Sequence, residues 1–136
     1  MSAWFAGSNL KGFSHWMNKQ AGEEYAHAMK FYKYIIDRGG KVVLKAIAAP
    51  PVEWKSALAI FEQSYGHEQE VTKRIYNVIK EARAEDDPPT LEMLQWFVKE
   101  QVEEESSALE IVEQLKMIGD SKGSLFMLDH RLAKRE

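Results

Sequence analysis

The sequence predicts an all-α fold, a bundle built from long helices. Three segments repeat apolar residues at alternating intervals of three and four positions, which is the spacing of one buried helix face. Only four prolines and eight glycines occur in 136 residues, and they gather at the ends of these segments. The length suits one domain, which we assign to residues 1–136.

The first long helix is predicted over residues 9–39. Ser8 or Asn9 can cap its N-terminus, and a glycine after Arg38 can take the left-handed conformation that ends a helix. Residues 40–55 follow as an extended crossover, because they contain two consecutive prolines and no helical period. A crossover of this length can make the next helix parallel to the first.

Three more helices follow the crossover. Residues 56–84 and 90–118 carry the other two long periodic stretches, and an Asp-Asp-Pro-Pro break separates them. Thr90, directly after that break, can cap the third long helix. A short amphipathic helix is predicted over residues 124–135.

Polar residues interrupt the apolar stripe near the middle of each long helix. Glu24 and His27 do so in the first helix, Glu68 in the second, and Gln101 with Glu104 in the third. Burying an unpaired carboxylate costs several kcal/mol, so such positions require compensation. A cation bound at one level of the bundle would supply it. The alternative is a set of buried polar contacts without metal.

The residue types restrict which cation could bind. The Glu-x-x-His and Gln-x-x-Glu spacings place two side chains on one helix face, and the Glu68 carboxylate could bridge two cations. Because the chain has no cysteine, the ligands are carboxylate, imidazole and amide oxygen, which favour iron or manganese. The neighbouring Glu23, Glu100 and Glu103 predict either an additional cation site or a solvated acidic face.

Composition argues against several other classes of protein. The net charge of −3 is too small to indicate a nucleic acid or an acidic membrane surface as partner. The sequence contains no apolar run long enough to span a membrane and no signal-peptide pattern at its start. We therefore expect a cytoplasmic protein.

Five segments together resemble the non-haem prokaryotic ferritins, and the resemblance extends over essentially the whole chain. These segments are residues 10–17, 23–32, 50–54, 67–72 and 94–105. The resemblance implies a ferritin-like four-helix bundle with a long crossover and a short C-terminal helix. It also implies a homo-oligomer, usually a shell of twenty-four subunits, in which Fe(II) is oxidised by dioxygen or peroxide at a di-iron centre and stored as ferric mineral.

The resemblance also implies roles for individual residues. Glu24 resembles the bridging carboxylate and His27 the imidazole ligand of one iron. Glu68, Gln101 and Glu104 resemble the surroundings of the second iron. These five residues are the expected ferroxidase centre.

A third iron site is implied by the same resemblance. Glu23, Glu100 and Glu103, together with Glu104, resemble its ligands. Haem-binding relatives carry a methionine immediately after the bridging glutamate, and this chain has Tyr25 there, so we expect no haem.

One departure from the family concerns the start of the chain. The family begins with a full helix that supplies an iron-ligating glutamate, and residues 1–7 resemble only the end of that helix. We therefore expect most of the first helix to be missing, with an altered first iron site. An apolar patch would then need cover from a partner subunit, a swapped element or a longer native chain.

Three functions remain open at this stage. The leading one is an iron storage subunit with ferroxidase activity. The alternative is a truncated structural or metal-binding subunit with weak or no ferroxidase activity. The third is a metal-binding oxidoreductase of the wider ferritin-like group.

Overall fold

The all-α prediction is confirmed by the computed structural model, which describes residues 1–135. The described residues form five helices and contain no β-strand. The helices are α1 (Ser2–Gly7), α2 (Lys11–Asp37), α3 (Ala57–Ala84), α4 (Pro88–Ile118) and α5 (Lys122–Leu132). Residues 40–54, before α3, have no regular secondary structure. None of the helices in residues 1–135 is long and apolar enough to cross a membrane.

The helices belong to two compact units. The first unit consists of Met1–Trp54 and the C-terminal segment that starts at Ser121, and it contains α1, α2 and α5. The second unit consists of Lys55–Asp120 and contains α3 and α4.

In the first unit, aromatic side chains hold α1 against α2. The rings of Phe5 and Phe13 stack with their centroids 5.0 Å apart, and both side chains are fully buried. Burial of each such ring contributes about 1.5–3 kcal/mol to stability. Trp4 meets the ring of Trp54 edge-on, at 6.5 Å between centroids. The start of the chain is thus fixed to α2 and to the end of the crossover.

Helix α5 contacts the beginning of α2 at very short range. A Cβ atom placed on Gly12 would lie 1.7 Å from the carbonyl oxygen of Asp129, so no side chain fits at this position. Leu128 and Leu132 of α5 are buried. Glycine is therefore required at residue 12 for the approach of two backbones.

In the second unit, α3 and α4 pack along their apolar stripes. The buried apolar side chains recur at intervals of three and four residues, as the sequence predicted. They include Ile60, Phe61 and Ile75 on α3, and Leu94, Phe97, Ala108, Ile111, Val112 and Leu115 on α4.

The N-terminus of α2 differs from the prediction that Ser8 or Asn9 caps it. The N-cap residue is Leu10, whose side chain forms no capping hydrogen bond. The backbone N–H of Phe13 instead donates to Oδ1 of Asp129, at 3.0 Å. Asn9 adopts φ 58° just before the helix, and this left-handed turn carries the chain from α1 into α2.

The C-terminus of α2 has the glycine conformation expected from the sequence. Gly39 has φ 74°, and its N–H donates to the carbonyl oxygen of Ile36 at 2.8 Å. The N–H of Gly40 donates to the carbonyl oxygen of Ile35, also at 2.8 Å. This pair of bonds is a Schellman motif, which satisfies carbonyl groups at the helix end.

Helix α4 begins two residues before the predicted start at residue 90. Asp87, not Thr90, is the N-cap, and it accepts hydrogen bonds from the backbone N and Oγ1 of Thr90 at 3.4 and 2.5 Å. Pro88 and Pro89 occupy the first two helical positions, where a missing N–H removes no intrahelical bond. The two prolines therefore start the helix, whereas the sequence prediction placed them in the break before it.

Candidate metal centre

The first unit places Glu24 and His27 side by side on one turn of α2. Oε2 of Glu24 lies 3.6 Å from Nδ1 of His27. The imidazole side chain is 12% exposed and the carboxylate 40% exposed, so neither is fully buried. The i,i+3 spacing places an acidic oxygen and a ring nitrogen where one cation could bind both.

A glutamine one turn earlier holds the Glu24 carboxylate. The buried Gln20 donates from Nε2 to Oε1 of Glu24 at 3.2 Å, and its own Oε1 accepts from Nη1 of Arg135 at 3.0 Å. Arg135 also lies over the ring of Trp16, at 4.3 Å from the centroid. Arg135 is therefore linked to Glu24 through the amide of Gln20.

Glu23, expected at an additional cation site, has an intramolecular cation beside it. The guanidinium of Arg135 donates from Nη2 to Oε2 of Glu23. Nη1 of the same arginine contacts the backbone oxygen of Trp16 at 3.4 Å. A metal ion that used Glu23 would have to compete with this arginine.

The second unit holds the other three residues of the expected centre, and all three are buried. Glu68 on α3 is 4% exposed, while Gln101 and Glu104 on α4 are 5% and 6% exposed. Nε2 of Gln101 donates to the backbone oxygen of Glu68 at 3.1 Å, which joins the two helices at this level. Oε2 of Glu68 is buried and accepts no hydrogen bond from the described residues, whereas other atoms of Glu68 have partners.

Two residues that the sequence reasoning did not select complete the polar cluster of the second unit. Oγ1 of Thr72 accepts a hydrogen bond from Nε2 of Gln101 at 3.1 Å. The same hydroxyl donates to Oε1 of Glu105 at 2.5 Å. Thr72 follows Glu68 by one turn of α3, but its pairing with Glu105 depends on the register of α3 against α4, which sequence spacing does not give.

The remaining acidic candidates lie closer to the surface. Glu100 is half-buried and Glu103 is exposed on α4. His67, which adjoins Glu68, is exposed. Nε2 of His15 is 2.8 Å from the backbone oxygen of Arg135, so this histidine contacts the C-terminal segment.

The donor atoms in the two units have a common chemistry. Carboxylate oxygens, an imidazole nitrogen and an amide oxygen are the ligands that Fe(II) and Mn(II) accept readily. Cysteine is absent from the sequence, so thiolate ligation is excluded. Buried carboxylates of this kind are stabilised when a cation binds to them.

Comparison with known proteins gives a consistent result at the level of family. A family model described as a ferritin-like domain matches residues 1–118. The chain is 38% identical over 135 residues to a bacterial non-heme ferritin of Staphylococcus aureus, covering 99% of this chain and 81% of that protein. A bacterial non-heme ferritin of Bacteroides fragilis is 40% identical over 135 residues, with 99% and 84% covered.

Solved structures agree with these relatives. The chain superposes with a TM-score of 0.99 on an open pore ferritin from the hyperthermophilic archaeon Archaeoglobus fulgidus, at 50% identity. That superposition covers 100% of this chain and 84% of the other. A humanized archaeal ferritin superposes with the same TM-score at 48% identity, covering 100% and 82%.

Proposed function

This chain belongs to the ferritin-like family, and from that premise we propose that it is an iron storage subunit with a ferroxidase centre. The centre would combine Glu24 and His27 from the first unit with Glu68, Gln101 and Glu104 from the second. The observation that carries the proposal is the burial of Glu68, Gln101 and Glu104, two of them carboxylates, among mainly apolar side chains of α3 and α4. Iron is here the substrate and cargo of the protein.

The arrangement within each unit supports this assignment. Glu24 and His27 lie on one turn with 3.6 Å between donor atoms, and Gln20 orients the carboxylate. In the second unit, a hydrogen bond of 3.1 Å connects Gln101 to the backbone of Glu68. Each unit thus offers a partial ligand set that is held in place before a cation arrives, which reduces the ordering that binding requires.

The reaction follows from the charge of these ligands. Two bound Fe(II) ions would give one electron each to dioxygen, which takes up two protons and leaves as hydrogen peroxide. Peroxide can serve as oxidant in a further cycle. The anionic carboxylates favour the more highly charged Fe(III), so they lower the energy of the oxidised state relative to Fe(II). The protein contributes positioning and charge.

An accessory cation site would lie beside this centre. Glu23, Glu100 and Glu103 are its candidate residues, with Glu104 shared between the two sites. Because Arg135 forms an ion pair with Glu23, this site would bind cations more weakly than the buried centre. Weak binding suits a position through which iron passes toward storage.

We further propose that copies of the chain assemble into a closed shell. Several large apolar side chains of the first unit are exposed in the single chain, and surfaces of this kind usually contact a partner. They are Tyr25, Met29, Tyr32, Ile35 and Ile36 on α2, and Val43, Leu44, Ile47 and Val52 in the crossover. A shell of twenty-four copies would have a mass of about 380 kDa, from 24 × 15.7 kDa. Mass photometry of the purified protein measures this directly.

The test of function compares two variants on α3 that remove the same charge. Glu68→Gln replaces the buried carboxylate, and Glu70→Gln replaces an exposed carboxylate that pairs with Lys73. Each protein is loaded anaerobically with Fe(II), its bound iron is counted, and Fe(III) absorbance is followed after air is admitted. We expect Glu68→Gln to lose bound iron and to oxidise about tenfold more slowly or worse, while Glu70→Gln matches the parent.

The outcomes separate the functions that the sequence left open. Parent protein that oxidises Fe(II) no faster than buffer, yet binds it, would be a storage or structural subunit without ferroxidase activity. Equal iron content in the parent and in Glu68→Gln would refute the proposed centre itself. Rapid oxidation without a retained ferric mineral would instead indicate an oxidoreductase of the wider ferritin-like group.

A further inference from the structure

We propose that Thr72, acting with Glu105, fixes the amide of Gln101 so that its oxygen atom is presented to the cation. Thr72 is then a positioning residue of the centre, although it is not itself a ligand. The inference rests on the proposed function, because it assigns a role toward the cation bound there. It adds two residues, Thr72 and Glu105, to the five expected at the centre.

The chemistry of the three groups determines the polarity of this hydrogen-bond chain. A carboxylate only accepts hydrogen bonds, so the hydroxyl of Thr72 donates its one proton to Oε1 of Glu105, at 2.5 Å. The oxygen of that hydroxyl can then only accept from Gln101. The atom of Gln101 that faces Thr72 at 3.1 Å must therefore be the nitrogen, which carries protons.

A second contact independently gives the same orientation. The backbone oxygen of Glu68 lies 3.1 Å from the same Nε2 atom, and a carbonyl oxygen cannot donate. The two protons of the Gln101 amide nitrogen are thus directed at two acceptors. If the amide flipped, its oxygen would face both acceptors, and two hydrogen bonds would become two repulsive contacts between oxygen atoms.

The consequence concerns the other end of the amide. Because the amide is planar, fixing the nitrogen toward Thr72 and the Glu68 backbone directs Oε1 to the opposite side. An amide oxygen can bind a metal ion, whereas the NH₂ group has no lone pair to offer it and repels a cation. The orientation of Gln101 therefore decides whether it is a ligand or an obstacle.

The helix register explains why these particular residues meet. Glu68 and Thr72 are separated by one turn of α3, and Gln101 and Glu105 by one turn of α4, so each pair shares a helix face. Gln101 is buried, whereas Thr72 and Glu105 are half-buried. The chain of hydrogen bonds thus runs from the interior of the second unit toward its surface.

The first experiment varies the hydroxyl of Thr72 while keeping the size of the side chain. Thr72→Val has nearly the same shape but neither accepts nor donates a hydrogen bond, and Thr72→Ser retains the hydroxyl. The probe is Co²⁺, whose visible absorption reports on its ligands, added under argon and then displaced by Fe(II). We expect Thr72→Val to lower the affinity of the centre about 10- to 100-fold, the usual effect of losing a residue that orients a ligand. Thr72→Ser should bind like the parent.

The second experiment acts on the same hydrogen-bond chain from its surface end. Glu105→Leu removes the acceptor that fixes the Thr72 hydroxyl, so this hydroxyl becomes free to donate to a flipped amide. We expect a lower Co²⁺ affinity and an altered absorption spectrum. Glu105→Gln keeps an acceptor oxygen and should bind nearly like the parent. Glu110→Leu, at an exposed position of the same helix, controls for the loss of a charge.

The results distinguish a failure of this inference from a failure of the proposed function. If the parent binds Co²⁺ and Glu68→Gln does not, the centre exists, and parent-like affinity in both Thr72→Val and Glu105→Leu would overturn the role of Thr72. If Thr72→Ser were as weak as Thr72→Val, the hydroxyl would not be the operative group. Should Thr72→Val fail to fold, the pair Glu105→Leu and Glu105→Gln decides the question.

Discussion

Asp129 provides the cap that α2 lacks at its own N-terminus, and its removal should destabilise the first unit. Leu10 occupies the N-cap position and has no side-chain acceptor. Phe13, the third residue of the helix, donates its backbone N–H to Oδ1 of Asp129 at 3.0 Å in a buried setting. Asp129 is itself buried, so water cannot easily replace it.

The size of the effect follows from these contacts. Loss of an N-cap costs about 1 kcal/mol, and a negative charge near a helix N-terminus contributes roughly 0.3–1 kcal/mol more. We therefore expect Asp129→Ala to lower the free energy of unfolding by about 2 kcal/mol. For a chain of this length, each kcal/mol lowers Tm by about 3–5 °C, so the total is about 6–10 °C. Asp129→Asn keeps an acceptor and should cost about half as much.

The assay is thermal unfolding followed by far-ultraviolet circular dichroism. All proteins are compared at one concentration, because assembly makes Tm depend on concentration. Asp120→Ala is the matched control, since Asp120 is exposed and its loss should change the free energy by no more than about 0.5 kcal/mol. A Tm of Asp129→Ala equal to that of Asp120→Ala would refute the capping argument.

Two further substitutions test the contacts of the C-terminal segment. Gly12→Ala should lower the free energy of unfolding by about 1–3 kcal/mol, because its Cβ would lie 1.7 Å from a backbone oxygen that cannot rotate away. An unchanged Tm together with unchanged protease resistance of α5 would contradict this. Arg135→Gln removes the cation beside Glu23, so we expect tighter Co²⁺ binding at the accessory site. This site is measured in the later part of a Co²⁺ titration, after the more tightly binding centre has filled. Arg135→Lys keeps the charge and should bind Co²⁺ like the parent at that site, whereas equal binding by all three proteins would exclude competition by the arginine.

The sequence predicted the helices well because their pattern is local. Apolar residues at intervals of three and four define one face of a helix, and a glycine pair defines its end. The same intervals predicted that Glu68, Gln101 and Glu104 lie on the inner side of their helices, and all three are buried. Patterns of this kind need no knowledge of what a helix packs against.

The predicted helix starts were less accurate because caps can come from distant residues. The cap of α2 is Asp129, which is 116 residues away in sequence. At α4, a pair of prolines looked like an interruption but occupies the first turn, where prolines cause no loss of hydrogen bonds. Asp87, immediately before the prolines, was the local signal for this start.

The orientation of polar side chains could not be predicted from the sequence either, as Gln101 of the candidate centre and Gln20 beside Glu24 show. A glutamine amide has a donor at one end and an acceptor at the other, so its direction is set by its neighbours. Gln20 meets Arg135, which can only donate, and therefore accepts there and turns its N–H toward Glu24. Gln101 meets Thr72, whose proton is committed to Glu105, and therefore donates there.

The group at the outer end of each hydrogen-bond chain thus supports the orientation of the buried glutamine at its inner end. An arginine at the outer end makes Gln20 a donor that supports a carboxylate. A glutamate at the outer end makes Gln101 present its oxygen, which is the atom that a cation can bind. In the proposed centre, Arg135 therefore acts through the amide of Gln20, and Glu105 acts through Thr72 on the amide of Gln101.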